Sequence, residues 1–152
     1  MIEGVRVRDL VAHQDARGAL TEVLRSDWPE FTRFGQAIFT VNLPGVIRAW
    51  HWHERQTDVI VVVGGSARVA VYDGRPTSPT HGRVEDFLVG EGRLAAIVVP
   101  PGVYHGYRTV GDRPALILNF PDRLYDASAP DERRVPHDTP DVPYDWDAPP
   151  AS

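Results

Sequence analysis

The stretch "IRAWHWHERQTDVIVVVGGSARVAVYD", residues 47–73, decides the fold class. Its first seven residues alternate in character, and in a strand residues i and i+2 share a face. His51 and His53 therefore point one way and Trp50 and Trp52 the other. "DVIVVV" (58–63) carries a short aliphatic run that reads as a further strand. "ARVAVYD" (67–73) returns to alternation, and Gly64–Ser66 between the two runs suits a tight hairpin. Three consecutive strands without a helical period point to an all-β chain.

Similar runs continue on both sides. Candidate strands are 5–11, 19–25, 36–42, 46–52, 58–63, 67–73, 84–89, 94–99 and 115–120. "SDWPEF" around Pro29 suits either a short helix or an irregular loop. Many short strands separated by turn residues imply a barrel or jelly roll. From Pro121 onward the texture changes, with seven of the 14 prolines in the last 32 residues. Proline removes ladder donors and breaks helices, so this segment is neither a central strand nor a long helix. It still carries Leu124, Tyr125, Tyr144 and Trp146, which favours an extended arm laid over the β-core. The expected organisation is one domain over residues 1–146, with a loose tail at 147–152.

Composition narrows the function. A net charge of −5 disfavours general nucleic-acid binding, which needs a basic face. The absence of cysteine excludes disulfides, thiolate metal sites and thiol catalysis. No apolar run reaches 18 residues and "MIEGVRVRDL" has no apolar signal region, so no membrane segment and a cytoplasmic location are expected.

A third histidine, His105, follows the Pro100-Pro101-Gly102 turn, and a small barrel can bring it to His51 and His53. Gly45, His51-x-His53, Asp58 and the later Pro-Gly…His105 are together similar to the two motifs of cupin barrels. The metal-binding members of that superfamily would use His51, His53, Asp58 and His105 as ligands. Three imidazoles and a carboxylate suit a borderline divalent ion such as Fe(II), Mn(II), Ni(II) or Zn(II).

Five stretches carry a more specific resemblance: "DARGALTE" (15–22), "GVIRAWH" (45–51), "VYDGRPTSPTHG" (71–82), "VPPGVYHGY" (99–107) and "YDASAPDERRVPHD" (125–138). Together they resemble the dTDP-4-dehydrorhamnose 3,5-epimerase family, from about residue 5 to residue 146. The resemblance implies a cupin-type jelly roll acting as a homodimer on nucleotide-linked 4-keto-6-deoxyhexoses, with neither metal nor cofactor. By position it implies His51 as proton-abstracting base and Asp138 as its carboxylate partner. It also implies Arg17 and Glu22 at the nucleotide, with Gln36, Arg48, His53, His105, Tyr107, Asn119 and Glu132 around the substrate. The exchange of N-terminal strands in such dimers would carry Arg17 to the neighbouring subunit. Asp58 stands where the family has a lysine, and Asn119 where it has a proton-donating tyrosine.

Chemistry supports these roles. A neutral imidazole near its ordinary pKa can remove a proton next to a ketone, and arginine forks match diphosphate oxygens. Arg48 and His51 are three apart, so both reach one site only if an irregularity falls between residues 46 and 51. The expected activity is epimerisation of a nucleotide-activated 4-keto sugar in deoxysugar or polysaccharide synthesis. Two alternatives stand beside it: a metal-dependent oxygenase or isomerase built on the four-ligand set, and a sugar-nucleotide binding module without turnover.

Overall fold

The computed structural model describes residues 1–150. Among these residues lie twelve strands and no helix: β1 (Arg6–Asp9), β2 (Ala12–Asp15), β3 (Gly18–Thr21), β4 (Ile38–Asn42), β5 (Ile47–His53), β6 (Asp58–Gly64), β7 (Ser66–Asp73), β8 (Val84–Gly90), β9 (Ala95–Val99), β10 (Val103–Val110), β11 (Ala115–Asn119) and β12 (Glu132–Arg134). Two five-stranded antiparallel sheets, β1-β9-β6-β11-β4 and β12-β5-β10-β7-β8, face each other as a jelly roll. β2 and β3 form a separate two-stranded ribbon.

The core lies between the sheets. Ile60, Val62, Ile97 and Ile117 from the first meet Val69, Val71, Val103 and Tyr107 from the second. β6 is covered on its outer face too, where Val59 and Val61 pack beneath Leu10, Val23, Leu24 and Phe120. That double burial explains the run Val59–Val62, each fully buried valine being worth roughly 1.5–3 kcal/mol, whereas Val63 at the end of the strand is exposed. On the outer face of the second sheet, Trp50 and Ala70 are covered by Val142 and Trp146, with Tyr144 packed against them.

The expected hairpin at Gly64–Ser66 does not form. β6 pairs with β9 and β11, whereas β7 pairs with β10 and β8, so the turn carries the chain from one sheet to the other. Gly65 sits at φ +61°, and a Cβ there would lie 2.3 Å from the Pro114 carbonyl oxygen. "SDWPEF" is an irregular loop of turns. Three strands escape the apolar pattern: β2 and β12 are short and largely exposed, and β10 follows a Pro-Pro-Gly turn with His105, Arg108 and Thr109 along its length. The C-terminal anchor reaches beyond residue 146. Arg68 donates to the Trp146 and Ala148 carbonyls, and Arg108 donates to the Asp147 carboxylate at 2.7 Å. The supposed loose tail is thus held at least to Ala148, and residues 151–152 lie outside the described residues.

Candidate active site

The irregularity expected between residues 46 and 51 is present in β5. His105 lies opposite His51, but Tyr107 lies opposite Arg48, so three residues of β5 span two of β10. The extra residue lets Ala49 and Trp50 both pack on the outer face while Arg48 and His51 both line the interior cleft. Gly106 makes this possible, because a Cβ there would stand 2.2 Å from the Ala49 Cβ. Arg48 is then aimed by Asn42, whose Oδ1 accepts from Nε at 2.9 Å. Asn42 is itself locked, donating to the Val46 carbonyl and to Thr109 Oγ1, each at 2.8 Å.

The cleft has two lobes that share His51, Asn119, Glu132 and Arg134. The larger, of about 590 Å³, is walled by Arg33, Arg55 and Arg123 and contains Gln36, His53 and Tyr125. The smaller, of about 400 Å³, contains Arg48, Thr40 and Tyr107. β12 forms one wall by pairing along β5, with Glu132 opposite His53 and Arg134 opposite His51. Both lobes are the size of ordinary small-molecule sites.

At the floor, three side chains converge. Asp58 opens β6 on the inward face shared by Ile60 and Val62, and it is 1 % exposed. Its Oδ2 lies 3.0 Å from His105 Nε2 and 3.2 Å from His53 Nε2. Gln56 Nε2 donates to Asp58 Oδ1 at 2.7 Å. Burial alone would raise the Asp58 carboxyl, but His105 and His53 outweigh it and hold it well below the usual carboxylate range. At His53 burial opposes charge and Asp58 overrides it, with a net upward shift. His51 differs. Its ring stands 4.2 Å from that of His105, and burial followed by the neighbouring His105 pushes its pKa well below the ordinary imidazole value. His51 is therefore a neutral base at neutral pH, with an edge open to the cleft.

The sequence-derived residues divide. His51, His53, Gln36, Arg48, Tyr107, Asn119 and Glu132 line the cleft, and His105 lies buried beneath it. Arg17 and Glu22 do not reach it: Arg17 sits in the β2–β3 turn bound to Asp15, and Glu22 accepts from Arg25 at 2.9 Å. Asp138 is exposed and makes no contact with His51 among the described residues. The preceding residue, His137, receives the Trp50 indole N–H on its carbonyl, and Trp50 packs on the outer face of the sheet. The carboxylate nearest the histidines is Asp58. Tyr104 lies outside the cleft and stacks on Trp52 at 4.0 Å beside the outer-face aromatic cluster. Sequence reasoning missed Arg33, Arg55, Arg123 and Arg134; these positions are scattered along the chain and only the folded cleft gathers them.

With this geometry in view, the whole chain, residues 1–152, matches the family described as dTDP-4-dehydrorhamnose 3,5-epimerase. The chain belongs to that family. It is 44 % identical over 149 residues to the probable low-salt glycan biosynthesis epimerase Agl13 of Haloferax volcanii, covering 97 % of this chain and 96 % of that one. A dTDP sugar isomerase from Desulfovibrio desulfuricans superposes with a TM-score of 0.90 at 33 % identity, covering 95 % of this chain and 92 % of the other. A double mutant of ChmJ, a 3'-monoepimerase from Streptomyces bikiniensis, in complex with dTDP gives 0.85 at 26 % identity over 99 % and 79 % of the two chains.

One of the stretches that carry the family resemblance, "DGRPTSPTHG" (73–82), lies off the cleft. Asp73 is fully buried and accepts from Arg75 Nε at 2.8 Å and from Ser78 Oγ and Thr80 Oγ1 at 2.6 Å each. Arg75 also donates to the Glu3 carbonyl at 2.7 Å, tying the loop to the N-terminal segment. The string is a structural lock.

Proposed function

We propose that this epimerase acts on a dTDP-linked 4-keto-6-deoxyhexose, with His51 as the base that removes the proton next to the ketone. The observation that carries the reading is a neutral, cleft-facing imidazole at the junction of two lobes, one of them walled by arginines. The diphosphate would lie along Arg33, Arg55 and Arg123 in the larger lobe, where planar guanidinium forks match its oxygens. The sugar would sit against His51, with Arg48 and Arg134 supplying positive charge for the enolate oxygen. Asn119 lacks a proton to give at useful pKa. Tyr107, which burial keeps protonated, stands on the His51 wall, so the proton that completes an inversion would reach the opposite face from cleft water.

We further propose that the enzyme works as a cytoplasmic homodimer. β4 is an edge strand with Ile38, Phe39 and Val41 exposed, and the β2–β3 ribbon stands apart with Leu20 exposed. Unpaired edges and isolated ribbons are both stabilised by pairing with another chain. Such pairing would bring Arg17 to the partner's cleft.

The test is solvent deuterium incorporation beside the ketone of dTDP-4-keto-6-deoxyglucose, followed by NMR in D₂O. His51→Ala should slow exchange by about 10²–10⁴-fold. Exchange at the wild-type rate in that variant would remove His51 from the mechanism.

A further inference from the structure

The three arginines that wall the larger lobe are assembled on one short turn. Residues 54–57 carry the chain from β5 in the second sheet to β6 in the first, so no strand ladder serves their backbone groups. Asp131, just before β12, supplies the acceptor they need. Its Oδ1 accepts from the Glu54 N–H at 3.2 Å, and its Oδ2 from those of Arg55 at 3.1 Å and Gln56 at 3.0 Å. Burial alone would raise this carboxyl, but the three N–H groups outweigh it and hold it below its ordinary value. The wall then extends outward from the turn. Arg55 belongs to it, and Arg123 Nε donates to the Arg55 carbonyl at 3.2 Å. The Thr57 N–H donates to the Asp122 carboxylate at 2.9 Å, and the Thr57 carbonyl accepts from the Asp122 N–H at 3.1 Å. Arg33 Nε in turn donates to the Asp122 carbonyl at 2.7 Å.

Each guanidinium is thus tied, directly or through Asp122, to a turn whose first three N–H groups converge on Asp131. The ion pair between the two side chains adds little, because Arg55 Nε stands 3.7 Å from Asp131 Oδ1 and the Arg55 side chain is 63 % exposed. Nor is Asp131 free to act as a base. Both of its oxygens are engaged by N–H donors, which also mute its charge beside a site for an anion. We propose that Asp131 is a positioning residue, setting the arginine wall for the substrate's diphosphate through residues 54–57 and taking no part in proton transfer at His51. The proposal rests on the diphosphate reading above and deepens it. Affinity for the nucleotide becomes a property of the C-terminal arm as well as of the arginines.

The experiment compares Asp131→Ala and Asp131→Asn with the wild type, each as the full chain, in two assays. Calorimetry measures dTDP affinity, and deuterium exchange into dTDP-4-keto-6-deoxyglucose gives KM and kcat. Asp131→Ala should weaken dTDP binding and raise KM on the order of 10–100-fold, the scale of losing a charged hydrogen-bonding anchor, with kcat close to the wild type. Asp131→Asn keeps one oxygen to accept from Arg55 and Gln56, so it should lose less affinity with the same split between KM and kcat. A purely structural role would lower kcat along with affinity, and a matching fall in kcat overturns the proposal. Unchanged dTDP affinity in the folded variants overturns it equally. So does failure of both variants to fold by circular dichroism, since a positioning residue leaves the frame standing; if only one folds, that one decides. Wild-type protein that binds no dTDP removes the diphosphate reading and this role with it, an outcome distinct from wild-type binding that the variants retain.

Discussion

His51 and His53 stand two residues apart on one strand and carry opposite shifts. The His51 ring meets desolvation and a neighbouring imidazole, while His53 meets Asp58. Their shared face was legible from the H-x-H spacing, because side-chain period two is a property of any strand. Their separate roles were not, because Asp58 joins them from another sheet. Asp73 is the parallel case: the family string drew attention to it, and the structure makes it a buried anchor. Burial alone would raise its carboxyl, but Arg75, Ser78 and Thr80 depress it far below the ordinary value. A depressed carboxylate contributes stability that is fully present above its unfolded pKa, about 3.9, and is lost as pH falls below that value. Asp73→Ala should therefore cost about 3 kcal/mol near neutral pH, since it also strands Ser78 and Thr80. Urea midpoints at pH 7 and pH 3 should show the gap between variant and wild type narrowing in acid; an equal gap at both would remove the electrostatic explanation.

Among the elements, β5 shows most clearly how strand geometry and site depend on each other. Its sequence demanded an irregularity between Arg48 and His51, and the bulge supplies it. What permits the bulge sits on the neighbouring strand, where Gly106 gives room to Ala49. Gly106→Ala should destabilise the fold by about 1–3 kcal/mol, the usual cost of forcing extra volume into a packed site. It should also lower kcat, because straightening β5 turns Arg48 away from His51. Thermal unfolding and exchange kinetics measure the two effects; a variant that is less stable yet fully active would show that the bulge matters for packing alone. β6 was readable as a strand from its aliphatic run, while its burial on both faces from Val59 to Val62 depends on the segments that cover its outer side. The hairpin at Gly64–Ser66 was misread, since a glycine turn between two apolar runs looks alike whether the strands pair or part to different sheets.

For the whole molecule, the exposed edge of β4 and the isolated β2–β3 ribbon are the surfaces a single chain leaves unfinished. Replacing Phe39 and Val41 together by Asp should convert a dimer to monomers in sedimentation measurements. Arg17→Ala should leave the mass unchanged while weakening dTDP binding, since its guanidinium would serve the partner's cleft. Wild-type protein sedimenting as a monomer at micromolar concentration would refute the assembly. The C-terminal segment works at this scale as well. Trp146 and Tyr144 pack on Trp50 from outside while β12 of the same segment walls the cleft from inside. One stretch of chain thus couples the outer aromatic cluster to the shape of the active site.

The sequence alone determined the all-β class, the shared face of His51 and His53, the need for a break in β5 and the resemblance to sugar-nucleotide epimerases. Each of these is local: period two, turn residues and contiguous motifs are written in neighbouring positions. Tertiary structure alone decided that Asp58 rather than Asp138 meets the histidines, and that arginines from residues 33, 55 and 123 form one wall. Those contacts join positions distant in the chain, and only the pairing of strands within and between two sheets brings them within a few ångströms.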